Sequence, residues 1–150
     1  MNIEEALNTK FSSAQQKVII NLRYTSNILS NYQNNFLSEY NISIAQFNIL
    51  RILRGAKGEL NVNTVKERMI EKSPNTTRLM DKLLAKEFIA RRNCSEDRRV
   101  VYVEITKKGL NLLKVLDSKI QEASFTPKNI TDEESELLSN LLDKLRGEFH

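Results

Sequence analysis

A chain of 150 residues with 40% apolar and 28% charged side chains falls in the range of folded globular domains, which excludes a disordered tail and points to one domain. Its net charge is +4, yet twelve basic against seven acidic residues between positions 66 and 108 place +5 there, while 109–150 carries −3. That asymmetry suits a nucleic-acid face between neutral or acidic flanks. One cysteine, Cys94, and one histidine, His150, rule out an intrachain disulfide and the usual soft metal-ligand sets, so neither metal nor cofactor is expected. Residues 2–10 are polar and acidic where a signal peptide needs an apolar run. No stretch approaches the roughly 18 consecutive apolar residues of a membrane span, so a cytoplasmic location with no membrane partner is expected.

Helical periodicity begins early. From Phe11 to Leu37, Val18, Leu22, Leu29, Tyr32 and Phe36 recur at three-, four- and seven-residue spacings without Pro or Gly, which predicts one long amphipathic helix. Ser43 followed by Gln46 matches a capping box, and a second helix carrying Phe47, Leu50 and Leu53 runs until Gly55 and Gly58 punctuate it. Asn63 suits the N-cap of a short helix reaching about Ile70. Ser73 before Pro74 then predicts an N-cap and first helical position, with a helix to about Lys86. Two short helices with a sharp second start make a helix-turn-helix.

The period then changes from helical to alternating. Phe88 to Asn93 and Val100 to Ile105 read as strands around a polar CSEDRR loop, which is a wing. Helix returns from about Lys107 to Ala123, closed by Pro127. Thr131 with Glu134 forms another capping box, and Leu138, Leu141, Leu142 and Leu145 stripe a last helix. The fold class is mainly α with a small β-wing.

Winding 74–86 at 100° per residue puts Leu79, Met80, Leu83 and Leu84 on one face and Arg78, Asp81, Lys82 and Ala85 on the other. Side chains at the start of such a helix, Ser73, Asn75, Thr76, Thr77 and Arg78, are placed to meet base edges in a major groove. Arg suits guanine and Asn suits adenine, because each makes two parallel hydrogen bonds to its base. Lys82 and Lys86 fit phosphate contacts. In the loop, Arg98 or Arg99 can enter an A·T-rich minor groove while the Asp97 carboxylate holds a neighbouring guanidinium fork.

The run from Ser73 to Gly109, SPNTTRLMDKLLAKEFIARRNCSEDRRVVYVEITKKG, resembles the recognition helix and wing of the MarR family of transcription factors. Asp97-Arg98-Arg99, the following strand and the Ile105-Thr106 pair ahead of Gly109 match that family's wing signature in order and spacing. The resemblance implies a single winged helix-turn-helix domain, about 43–106, with dimerisation helices at about 11–38 and 107–147. These parts belong to one MarR-like domain over 1–150, and the resemblance implies a homodimer on double-stranded DNA with a pseudo-palindromic site. One position departs: Glu87 stands where the family usually has Gly, so either a non-Gly residue is left-handed there or the helix ends differently.

The resemblance also implies a repressor released by a small aromatic or anionic effector, and directs attention to Tyr24, Ile28, Phe47 and Arg51 as the pocket. Cys94, among Arg91, Arg92, Arg98 and Arg99, is a candidate redox sensor. No glycine-rich phosphate loop and no nucleophile–base pair can be found, so no enzymatic activity is expected. The rival reading is a winged-helix module that binds protein or RNA.

Overall fold

A computed structural model describes residues 1–72, 74–122, 125 and 128–149, without the side chains of 121 and 122. The expectations placed on Ser73, Ala123, Pro127 and His150 lie outside the described residues. The chain divides into two units, 1–113 and 114–150, each described by itself.

The first unit holds α1 (Ile3–Leu7), α2 (Ala14–Ser38), α3 (Ile44–Ala56), β1 (Leu60–Asn61), α4 (Val62–Arg68), α5 (Thr76–Ala85), β2 (Ile89–Asn93), β3 (Val101–Ile105) and the start of α6 (Lys107–Glu122). The three strands form an antiparallel sheet in the order β1-β3-β2. Tyr102 at its centre lies opposite Asn61 on one side and Arg92 on the other. The second unit holds the remainder of α6 and α7 (Asp132–Gly147). Among the described residues no helix is long and apolar enough to cross a membrane.

Side-chain caps set most helix starts. Ser13 accepts from the Gln16 N–H at 3.1 Å and opens α2 three residues later than the apolar pattern indicated. Ser43 and Gln46 close the expected capping box on α3, and Thr131 and Glu134 close the one on α7. Gln46 is buried yet satisfied, because its amide also donates to the Leu79 carbonyl and ties the start of α3 to α5. α3 runs through Gly55 and ends at Lys57, which is left-handed at φ 55°.

Three expectations require correction. The N-cap of α4 is Asn61, not Asn63: its side chain accepts from the Asn63 N–H at 2.8 Å, and the residues before it pair as β1 with β3. α5 opens at Thr76, not Pro74. Pro74 and Asn75 form a turn, and the first i→i−4 bond is donated by the Leu79 N–H to the Asn75 carbonyl. α1, capped by the Asn2 side chain and Glu5, was not anticipated because five residues are too few for a period to show.

The core of the first unit is continuous across α3, α4, α5 and the sheet, where Ile49, Leu50, Leu53, Val65, Leu83 and Val103 are all but inaccessible. α2 contributes little to it. Only Leu37 is buried in that helix, while Val18 (52% exposed), Leu22, Leu29 and Tyr32 leave their stripe open in the single chain. In the second unit, Leu137 (60% exposed), Leu138 and Leu141 are likewise open on α7.

The junction between α5 and β2 answers the question posed by Glu87. Glu87 is left-handed, with φ 61°. Its N–H donates to the Leu84 carbonyl and the Phe88 N–H to the Leu83 carbonyl, the paired bonds of a Schellman ending. Thr106 completes the turn: its hydroxyl donates to the Glu87 carbonyl at 2.6 Å and its N–H to the Phe88 carbonyl at 3.0 Å. The same hydroxyl accepts from the Gly109 N–H and so caps α6. A Cβ on Gly109 would stand 2.3 Å from the Phe88 carbonyl oxygen and 2.7 Å from Ile105. Glycine is therefore required by packing at 109, whereas at 87 a strained glutamate is tolerated.

In urea unfolding, Gly109→Ala is expected to lose about 1–3 kcal/mol because backbone must shift to admit the methyl group. Glu87→Gly should match or exceed the wild type by up to ~1 kcal/mol, the order of the left-handed penalty it relieves. An unchanged midpoint for Gly109→Ala would refute this account of the junction.

Candidate nucleic-acid interface

α5 presents its apolar face inward through Met80 and Leu83 and leaves Thr77, Arg78, Asp81 and Lys82 exposed. Thr77 and Arg78 thus stand in the first turn of an exposed helix face, where a groove-entering helix carries its base-reading side chains. Asn75 is in the turn just ahead, at the cap position. Thr76 departs from the expected set: it is 1% exposed, and the phase of the helix turns its side chain into the core. Lys86 also departs, because its ammonium donates to the Asn41 carbonyl.

The wing is a β2–β3 hairpin whose loop is closed from within. The Cys94 N–H donates to the Val100 carbonyl at 2.9 Å and the Val100 N–H to the Asp97 carbonyl at 3.0 Å. The Asp97 carboxylate accepts from the Arg99 backbone N–H at 2.9 Å. Asp97 therefore folds the tip through the main chain, not by gripping a guanidinium fork as its neighbours had suggested. Among the described residues, no carboxylate lies within 4 Å of the Arg98 or Arg99 guanidinium, and both residues are exposed.

Recognition helix and wing face a common hollow. Thr77 and Asp81 of α5, Lys66 of α4, and Arg91 and Arg99 of the wing line one concavity. Arg91 donates to Asp81 at 3.1 Å across it, tying β2 to α5. Lys66 of α4 and Arg99 of the wing thus bring two cations to one hollow, a charge that suits a phosphate backbone.

A family model described as "Transcriptional regulator SarA/Rot" matches residues 31–116, more than half of the chain. The chain belongs to the SarA/Rot family. Its relatives include the HTH-type transcriptional regulator MhqR of Bacillus subtilis, 25% identical over 129 residues, which are 85% of this chain and 87% of that protein. SarZ of Staphylococcus epidermidis is 29% identical over 112 residues, 75% of this chain and 72% of its own.

Solved structures show the same winged fold. A MarR transcription factor from Planctomyces limnophilus superposes with a TM-score of 0.66 at 27% identity, covering 93% of this chain and 96% of its own. A mutant MarR from E. coli complexed with operator DNA gives 0.74 at 24% identity, over 89% and 99%, a likeness of fold. The SarA/Rot protein is thus a DNA-binding transcriptional regulator with a MarR-type winged helix, and its family is one of regulators and not of enzymes.

Of the four residues suggested for an effector pocket, Phe47 and Arg51 lie together on α3, the guanidinium 5.7 Å from the ring centroid. Tyr24 and Ile28 stand one turn apart on α2, which packs on α3. The sequence assigned no site role to Lys66 or Asp81: Lys66 reaches the hollow from α4, far from the wing in the chain, and Asp81 through its pair with Arg91.

Replacing Asp97 separates its two conceivable roles. Asp97→Asn keeps the acceptor for the Arg99 N–H and removes a negative charge beside DNA, so affinity measured by fluorescence anisotropy should equal or exceed that of the wild type. Asp97→Ala should weaken binding by roughly five- to tenfold as the tip loosens, the worth of one local hydrogen bond. Equal losses in both variants would mean that the charge, not the turn, matters.

Proposed function

We propose that this regulator works in the cytoplasm as a homodimer that reads a pseudo-palindromic operator, with Asn75, Thr77 and Arg78 at the bases, Lys82 on phosphate, and Arg98 and Arg99 in the minor groove. The observation that carries this reading is the hollow shared by Thr77 on α5 and Arg99 on the wing, which aims helix and hairpin at one duplex. Dimerisation is supported by the open apolar stripes on α2 and on α7, since monomers rarely leave such rows of large side chains in water. The dimerisation segments are 11–38 and 107–147, the reading segment 43–106. Two-fold symmetry then places paired half-sites about one helical turn apart.

Binding to DNA selected from a random pool should fall steeply with salt. Arg98→Ala with Arg99→Ala, which removes two cations from each of the two wings of the dimer, should reduce the slope of log K against log salt by about 3.6, at ~0.9 per phosphate neutralised. Arg78→Ala should instead alter base preference, by about 1–3 kcal/mol at one position of each half-site. Selected sequences without a repeated inverted half-site, or a slope untouched by the wing variants, would count against the reading and favour a protein- or RNA-binding module.

Release by a small aromatic carboxylate is the regulatory part of the proposal. Arg51 beside the Phe47 ring offers a cation and an aromatic face on α3, and Tyr24 and Ile28 would add a phenol and an apolar side chain from α2. Benzoate-type ligands should raise the unfolding temperature and weaken DNA binding, and Arg51→Ala should abolish both effects. Stabilisation that survives Arg51→Ala would move the site elsewhere.

A second reading rests on Cys94. Its thiol is partly accessible and is held below the ordinary cysteine range, chiefly by hydrogen bonds from the Asp97 and Glu96 backbone and further by Arg92. The thiolate is the form that peroxide oxidises, and it sits within the turn that shapes the tip. Peroxide should then lower operator affinity in the wild type and leave Cys94→Ser unaffected. Equal behaviour of the two proteins removes the redox reading.

A further inference from the structure

Arg92 has an environment unlike that of the arginines at the tip. Its Nε and Nη2 donate to the two carboxylate oxygens of Glu59, each at 2.6 Å, a fork-to-fork pair. Its guanidinium carbon lies 4.7 Å from the centroid of the Tyr102 ring. Arg92 and Tyr102 are direct partners across β2 and β3, and Glu59 immediately precedes β1 on the opposite edge of the sheet. The pair therefore runs from one edge strand to the other, over the ring of the central one. The Arg92 side chain keeps Glu59 ionised below the usual carboxylate range, and Glu59 in turn raises the guanidinium.

We propose that Glu59, Arg92 and Tyr102 form a strap that sets the orientation of the wing, so that Arg92 is a positioning residue and not a DNA contact. The need for it lies in the sheet. β1 is two residues long, and so few ladder bonds leave a hairpin free to twist. Successive residues of β2 point to opposite faces, and the two arginines use both of them. Arg91 reaches Asp81 on α5, while Arg92 reaches Glu59 beyond β1. Anchored on both faces, β2 presents the tip to DNA at a fixed angle to the recognition helix. Exposed ion pairs add little to global stability, so the consequence of this one is geometric.

This proposal rests on the reading that the wing meets DNA, and the test separates the two. Anisotropy titrations of the intact protein with selected DNA, across a range of salt, compare the wild type with Glu59→Gln, Arg92→Gln and the double variant. Each single variant should bind roughly fivefold more weakly with an unchanged salt slope, and the double variant should lose no more than either. A phosphate-contacting Arg92 gives the opposite result: Arg92→Gln lowers the slope by about 1.8, one contact from each subunit of the dimer, and Glu59→Gln binds as well as the wild type or better by freeing a cation. Either outcome overturns the strap. A DNA-free measurement accompanies it: nitrogen relaxation of the amides at 95–99 should report larger fast motion in both single variants, and unchanged relaxation overturns the strap. If Arg98→Ala and Arg99→Ala leave affinity intact, the DNA reading of the wing fails, while the relaxation data still decide whether the strap holds the tip.

Discussion

The angle between recognition helix and wing depends on the left-handed turn at Glu87. A helix ending any other way would send the chain on without reversing it onto the sheet. The paired bonds to the Leu83 and Leu84 carbonyls stop α5, and Thr106 clasps the turn from the far end of β3. Because the Thr106 hydroxyl also accepts from Gly109, one side chain joins the end of α5, the end of β3 and the start of α6. α5, the hairpin beside it and the start of α6 are thereby fixed to one another at a single point. The glycine requirement of this junction has been met at 109, where the Phe88 carbonyl leaves no room for a Cβ, while the strain at 87 is borne by a side chain that pairs at the surface with Lys108.

Burial divides the first unit according to what each part must do alone. From α3 to β3 most of the large apolar residues, Ile70 apart, pack against one another out of solvent, so that segment is furnished with its own core. α2 obeys the helical period as strictly, but its stripe remains open. Periodicity reports that a face is apolar; it does not report which surface will cover it. The open rows on α2 and α7 are where the proposed dimer would gain most, since each large apolar side chain removed from water is worth about 1.5–3 kcal/mol.

Local chemistry was legible at several bonds that close within four residues, though the caps at Asn2, Ser13 and Asn61 were not among them. The boxes at Ser43–Gln46 and Thr131–Glu134 and the alternation in 101–105 could be read directly, and the structure has them. What could not be read is long-range. β1 exists only because Leu60 and Asn61 meet Val103 and Tyr102, some forty residues on, and this pairing moves the cap of α4 to Asn61. Pro74 is compatible with a first helical position or with a turn, and packing selects the turn. The phase of the helix is unchanged by that shift: Thr76, one turn before Met80, faces the core, and Arg78 faces outward as the winding has it.

The sequence also counts cations without subtracting those already engaged. Within 91–99 there are four arginines, and their summed charge made the whole wing look basic. Arg91 is paired with Asp81 and Arg92 with Glu59, and each pair is nearly neutral when seen from a phosphate several ångströms away. A pair's field falls off faster than that of a single charge, and salt screens the remainder within about 10 Å. On the proposed reading, the long-range attraction for DNA comes from the tip and from α5, not evenly from the hairpin. Segregating the cations in this way makes orientation matter: a wing that is basic along its length could meet a duplex at many angles, whereas one charged at its tip is attracted most strongly when that tip is already in the groove.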